Sequence, residues 1–157
     1  METIQIDFDP ERISYTQLLQ LFFSGHNSTW PSPIRQYASA IFYQDEEQER
    51  LAVEAMRDAD ERYGKKISTE LLPYDGFTRA EDYHQKYYLR NTDDLMDQYK
   101  GLFTSEGAFT DSTATARVNG YIGGNGTTAQ LEKEKGGLGI NSGGIDALRS
   151  ILVKKGK

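Results

Sequence analysis

The apolar and polar positions of the first ninety residues follow two alternating periods. Residues 3–8 place every second side chain, all apolar, on one face, which predicts a half-buried strand. Ser14 then stands three residues before Gln17, the spacing of a capping box, and predicts the start of a helix with a wide apolar stripe. The chain therefore begins with the pattern of a strand followed by a helix.

The same two periods recur in the segments that follow. Residues 37–43 and 67–72 have strand character, and between them Asp45 is expected to cap a long helix that Gly64 closes. A further helix is predicted over residues 80–89. Three strands alternating with three helices indicate an α/β sandwich, in which helices pack against a small sheet.

Glycine and charge divide the chain into two parts. Twelve of the 15 glycines lie at or beyond Gly101, and the net charge of −6 belongs to residues 1–90, because acids and bases balance in the rest. This shift predicts an α/β segment over residues 1–90 and a helical, glycine-rich C-terminal extension over residues 91–157. Within the extension, short helices are predicted over residues 94–103, 110–119, 127–135 and 145–154.

Composition excludes several classes of function. The chain has no cysteine, which rules out disulfides, thiolate metal sites and a thiol nucleophile among these residues. Its negative charge disfavours nucleic acid or anionic membrane as a partner, and no apolar run is long enough to span a bilayer. With no targeting signal visible, the default location is the cytoplasm. His26 and His84 lie far apart without ligands nearby, which predicts structural roles and no metal.

Several short strings occur in a fixed order along the first ninety residues. They are Phe8-Asp9-Pro10, Ile13-Ser14-Tyr15, His26, Gln36-Tyr37-Ala38-Ser39-Ala40-Ile41 and Ala80-Glu81-Asp82-Tyr83-His84-Gln85. In this order and spacing they resemble the peptide methionine-S-sulfoxide reductase family. The resemblance implies an α+β fold, a partial ferredoxin-like two-layer α/β sandwich of about three strands and three helices. It covers the later part of the family's domain and ends at Arg90.

The resemblance assigns two catalytic positions. Glu2 falls where the family has the glutamate that protonates the sulfoxide oxygen, a task that needs a carboxyl held neutral in a dry site. Tyr37 falls on a tyrosine whose hydroxyl binds the same oxygen. The family's nucleophilic cysteine, in a Gly-Cys-Phe-Trp-Gly motif, is absent here. Ser32 and Ile34 also replace an aspartate and a glycine of the family, so the loop before Tyr37 departs from the pattern.

Two hypotheses follow from the resemblance. In the first, the catalytic N-terminal segment lies outside these residues, and the complete enzyme reduces oxidised methionine, free or in proteins, with thioredoxin or another thiol as reductant and no other cofactor. The chain as given is then inactive, since no side chain in it can attack sulfur. In the alternative, the chain is a non-catalytic binding or scaffold module, whose uncovered sheet edge offers a surface for self-association.

One string of the C-terminal part also resembles a family motif. Residues 119–126 contain Gly-Tyr-x-Gly-Gly, which the family carries in the segment missing upstream. No cysteine motif accompanies the string, and a helix is predicted directly after it. We therefore interpret it as a glycine turn between two helices. It lacks the preceding strand and the following lysine of a phosphate-binding loop.

Overall fold

The computed structural model describes all 157 residues and two separate units, Met1–Thr78 and Arg79–Lys157. The first unit contains two long helices and a two-stranded sheet, and the second contains only helices. Together they form a mixed α+β fold, which confirms the predicted fold class. None of the helices has the length and apolar character that crossing a bilayer requires.

Helix α1 of the first unit, Tyr15–Gly25, begins at the predicted capping box. The Ser14 hydroxyl accepts a hydrogen bond from the Gln17 N–H at 3.2 Å, and the Ser14 N–H donates to the Gln17 side chain at 2.8 Å. Two backbone donors that the first turn leaves free are thereby satisfied. The start of α1 is thus fixed by local sequence.

Helix α2, Glu46–Tyr63, is bounded at both ends by residues that the sequence identifies. The Asp45 carboxylate accepts the Gln48 N–H at 2.8 Å. Gly64 ends the helix in the left-handed region, with φ of 63°, a conformation that glycine adopts without steric cost.

The sheet of the first unit consists of two parallel strands, β1 (Ala40–Tyr43) and β2 (Glu70–Pro73). Helix α2 forms the crossover between them, as parallel pairing requires a long connection. Ile41 lies opposite Leu71 in the register. The buried core between the sheet and the two helices consists of Leu19, Phe23, Ile41, Ala52, Ala59 and Ile67.

The strand predicted over residues 3–8 does not form. These residues form neither a helix nor a strand, and Ile4 is 80% exposed. Strands β1 and β2 pair with each other, and residues 3–8 make no backbone–backbone hydrogen bond. The bond from the Glu2 N–H to the Gln36 carbonyl lies directly before them. A strand is stable only when a neighbouring strand accepts its backbone groups. The sheet therefore has two strands and not the predicted three.

At the start of the second unit, the helical segments are shorter than the pattern predicts. The helix predicted over residues 80–89 is divided into a 3₁₀ turn, Asp82–His84, and helix α3, Tyr87–Arg90. Lys86 between them has a φ of 51°, which interrupts helical hydrogen bonding.

Five helices and two 3₁₀ turns complete the second unit. They are α4 (Asp93–Met96), a 3₁₀ turn (Asp97–Tyr99), α5 (Glu106–Asp111), α6 (Thr113–Ile122), α7 (Thr128–Glu134), a 3₁₀ turn (Lys135–Gly137) and α8 (Ser142–Lys154). Four of the helices overlap the predicted positions with shifted bounds, and the helix at Glu106–Asp111 is additional. The buried side chains of the second unit form one core, made of Leu89, Leu95, Tyr99, Phe109, Val118, Tyr121, Leu131, Leu138, Ile145, Leu148 and Leu152.

The boundary between the units falls before the one drawn from composition. It lies between Thr78 and Arg79, and Leu89 is fully buried in the core of the second unit. Residues 79–90 therefore pack with the later helices, although their charge groups them with the first part. The division into residues 1–90 and 91–157 stays a prediction about where the reductase-like segment ends.

Alkaline pH is expected to destabilise the second unit through two buried phenols. Tyr99 donates a hydrogen bond to the Leu138 carbonyl, Tyr121 donates to the Glu134 carboxylate at 2.7 Å, and burial raises the pKa of each tyrosine to about 12. Both pKa values exceed the unfolded value of 10, so the free energy of unfolding should fall as pH rises from 10 to 12, by roughly 1.4 kcal/mol per tyrosine and pH unit.

Urea unfolding at a series of alkaline pH values, followed by circular dichroism, measures this loss. Tyr99→Phe should reduce the pH dependence, whereas Tyr83→Phe, at a largely exposed position, should leave it unchanged. Equal pH dependence in the Tyr99 variant and the unsubstituted chain would contradict the prediction.

Candidate functional site

The two residues assigned by resemblance, Glu2 and Tyr37, lie on neighbouring segments of the first unit. Tyr37 ends a 3₁₀ turn, Arg35–Tyr37, that leads into β1, and its side chain is 57% exposed. Glu2 is hydrogen-bonded to Gln36, the residue directly before Tyr37. The Glu2 N–H donates to the Gln36 carbonyl at 2.9 Å, and the Gln36 side-chain amide donates to the Glu2 carboxylate at 2.6 Å. Folding therefore brings Glu2 next to the turn that carries Tyr37.

An ion pair holds this turn against the sheet. The Arg35 guanidinium contacts the carboxylate of Glu70, the first residue of β2. The Glu70 N–H also donates to the Ser39 carbonyl at 2.9 Å. Both charged side chains are partly exposed, so the pair contributes little to stability and mainly restricts the orientation of the turn.

A network of hydroxyl groups around His26 lies where the chain enters β1 and β2. The Nδ1 atom of His26 faces the Phe22 carbonyl at 2.8 Å, and its Nε2 atom faces the Ser39 hydroxyl at 2.9 Å. Because a carbonyl can only accept, Nδ1 donates, and Nε2 of the neutral ring accepts from the hydroxyl. Thr69 and Ser28, both buried, complete the network. His26 thus has a structural role, because it links the end of α1 to the residues directly before the two strands.

Gln36 and the hydroxyl network were missed by the sequence analysis. Gln36 stands beside Tyr37 in the string that carries the resemblance, which was the one available signal. Its contact with Glu2 joins residues that are 34 positions apart, and only the fold creates it. The buried residues Ser28 and Thr69 gave no periodic signal.

The two side chains of the candidate site, those of Glu2 and Tyr37, are a carboxyl and a phenol open to solvent. Both Glu2 and Tyr37 are exposed, and either can hydrogen-bond a polar oxygen. Two surface clefts of the unit run along α1 and α2, both bordered by Gln20 and Arg62, and neither includes Glu2 or Tyr37 in its lining. No three His, Cys, Asp or Glu side chains cluster closely enough to hold a metal ion.

Comparison with known proteins identifies the family. The family model described as "Peptide methionine sulfoxide reductase" matches residues 1–117, so the similarity continues beyond Arg90. A "Peptide methionine sulfoxide reductase" of Drosophila melanogaster is 38% identical over 141 residues, which cover 88% of this chain and 56% of the relative.

Two prokaryotic relatives match a shorter stretch. "Peptide methionine sulfoxide reductase MsrA" of Sulfolobus acidocaldarius is 42% identical over 92 residues, covering 55% of this chain and 52% of the relative. The protein of the same description from Thermus thermophilus is 42% identical over 95 residues, covering 57% and 54%. The chain spans about half the length of the curated relatives it matches. By the extent of these matches, the chain belongs to the peptide methionine sulfoxide reductase family.

Proposed function

We propose that this chain takes part in the reduction of methionine sulfoxide, free or in proteins, as one part of a larger catalytic unit. The family match over residues 1–117 supports the reaction. The chain matches only about half of each relative, which supports a catalytic unit that consists of this part and a second part. The location of the protein in the cytoplasm stays a prediction.

In this proposal, Glu2 and Tyr37 act on the sulfoxide oxygen. The observation that carries the assignment is the two-point attachment of Glu2 to Gln36, immediately before Tyr37. The Tyr37 hydroxyl donates a hydrogen bond to the oxygen, and the Glu2 carboxyl transfers a proton to it as the S–O bond breaks. A second segment that covers Glu2 with apolar residues would favour the protonated carboxyl that this step needs.

The sulfur nucleophile comes from that second segment. The 157 residues contain no cysteine, and the reaction requires a thiolate that attacks the sulfoxide sulfur. The thiol takes up the oxygen as a sulfenic acid while the sulfoxide becomes a thioether. Two thiols of a reductant such as thioredoxin then return the sulfenic acid to the thiol, forming a disulfide and water.

A non-catalytic module is the second candidate. Ile4 and Ile6 are exposed on the unpaired segment of residues 3–8, and β1 and β2 each have one unpaired edge. Exposed apolar residues beside an unpaired strand favour association with another chain, including a second copy. Size-exclusion chromatography with light scattering tests self-association, and a monomer at high concentration would contradict it.

The isolated chain is expected to show no turnover of methionine-S-sulfoxide with dithiothreitol above the rate in buffer. The physical reason is the absence of a thiolate, since carboxylates, phenols and hydroxyls cannot be cycled by thiols. Liquid chromatography of the methionine formed is the measurement. Turnover by the isolated chain would overturn the proposal that the nucleophile comes from a second segment.

The matched experiment joins the chain at Met1 to the cysteine-bearing segment of a family relative. Turnover is expected from this fusion and not from its Cys→Ser variant. Circular dichroism before the assay establishes that each fusion is folded. A folded fusion that remains inactive, beside an active intact relative, would support the non-catalytic module instead.

A further inference from the structure

The turn between α6 and α7 contains an asparagine followed by glycine, Asn125-Gly126, in the string that the proposed function leaves unused. Asn125 is exposed, and its carboxamide makes no hydrogen bond in the protein. The sequence has five asparagines, and the other four each use the side-chain amide in a hydrogen bond, at Asn27, Asn91, Asn119 and Asn141. Asn125 therefore differs from all the others in being free to react.

The backbone after Asn125 is also free. Gly126 has a φ of 84°, and its N–H has no acceptor in the protein. Glycine carries no Cβ, so no side chain shields this amide nitrogen from the preceding carboxamide. The nucleophile and the electrophile of an intramolecular ring closure thus lie on adjacent residues, both unbound.

We propose that Asn125 is a site of spontaneous covalent modification. The Gly126 backbone nitrogen attacks the side-chain carbonyl carbon of Asn125, a new C–N bond forms, the C–N bond to the side-chain NH₂ breaks, and ammonia leaves with the proton of the Gly126 amide. Water then opens the resulting succinimide at either carbonyl, which gives aspartate or isoaspartate at residue 125. No oxidant, reductant or enzyme takes part.

The second asparagine–glycine pair of the chain provides an internal comparison. Asn119-Gly120 lies within α6, where backbone N–H groups are bound to the carbonyls of the preceding turn. The Asn119 side-chain oxygen accepts the Leu89 N–H at 3.1 Å, which holds the carboxamide away from the backbone of Gly120. The two pairs are the same dipeptide, and only the fold distinguishes them.

The modification alters a turn that several contacts define. The Lys155 ammonium donates to the Gly123 carbonyl at 3.1 Å, and the Asn125 N–H donates to the Gly120 carbonyl at 2.9 Å. Thr127, directly after the turn, caps α7. Either product adds one negative charge to the net charge of −6, and isoaspartate also lengthens the backbone by one carbon atom before the cap.

Incubation of the folded full chain at neutral pH tests the proposal. Trypsin releases a peptide, from the residue after Arg117 to Lys133, that contains both asparagines, so fragmentation mass spectrometry measures them in one molecule. Conversion at Asn125 is expected to be at least about tenfold faster than at Asn119, because reaction at Asn119 first requires local opening of α6. Both aspartate and isoaspartate should form at residue 125.

Two controls complete the test. In concentrated urea the difference between Asn119 and Asn125 should disappear, because the dipeptides are then equivalent. Asn125→Gln should remain unmodified at residue 125, since its longer side chain disfavours the five-membered ring. Equal rates at the two asparagines in the folded chain, or aspartate without isoaspartate at residue 125, would overturn the proposal.

Discussion

Glu2→Gln in the fusion that carries the cysteine segment is expected to lower the turnover of methionine-S-sulfoxide by about 10²–10⁴-fold, the usual contribution of a general acid. The amide can keep the contact with Gln36 that now measures 2.6 Å, so the geometry is retained while the transferable proton is lost. The quantities to measure are kcat and KM with dithiothreitol as reductant. The fall should appear in kcat, because proton transfer occurs in the transition state.

Glu11→Gln is the matched control for this variant. It makes the same change of charge at an exposed position that the proposal does not use, and it should keep the unsubstituted kcat. A fall in kcat of equal size in both variants would show a general effect of charge. Unchanged kcat in the Glu2 variant, with the fusion active, would remove Glu2 from the mechanism without touching the family assignment.

Leu148→Ala is expected to lower the free energy of unfolding of the second unit by about 2–5 kcal/mol. Leu148 lies on α8 with no exposed surface, within the core that α6 and α7 also form. Truncation removes buried methyl groups and leaves a cavity that the surrounding leucines cannot fully close. Urea unfolding followed by circular dichroism at the helical wavelength gives the change in free energy.

Val153→Ala, on the same helix, is the control for this loss. Val153 is 63% exposed, so its truncation should change stability by no more than about 0.5 kcal/mol. The two variants differ in burial and share the helix. Similar unfolding midpoints for both would contradict the assignment of Leu148 to the core.

Local capping signals predicted the long helices of the first unit. Ser14 and Asp45 stand where α1 and α2 begin, and Gly64 stands where α2 ends. Each signal acts through hydrogen bonds or backbone angles within a few residues, so the sequence contains all of it. The helix predicted over residues 80–89 is interrupted because Lys86 adopts a left-handed conformation. Lysine has no local preference for that conformation, so the short-range pattern of the sequence does not predict it.

The pairing of strands was less predictable, for a physical reason. The alternation of apolar and polar residues over residues 3–8 predicts which side chains share a face. A strand nevertheless forms only where a second strand pairs with its backbone groups. In this chain, β1 and β2 satisfy each other, and Ile4 remains exposed. The same distinction applies to the two asparagine–glycine pairs, which are identical as dipeptides and differ in their hydrogen bonds.

By itself, the sequence determined the family, the mixed α+β class, the start of α1, both ends of α2 and the absence of a thiol. These features depend on residue identity and short-range spacing. Only the tertiary structure decided that Glu2 is held by Gln36 beside Tyr37, that residues 3–8 stay unpaired, and that residues 79–90 pack with the later helices. Each of these depends on contacts between distant segments, which form when the chain closes its loops and buries its cores.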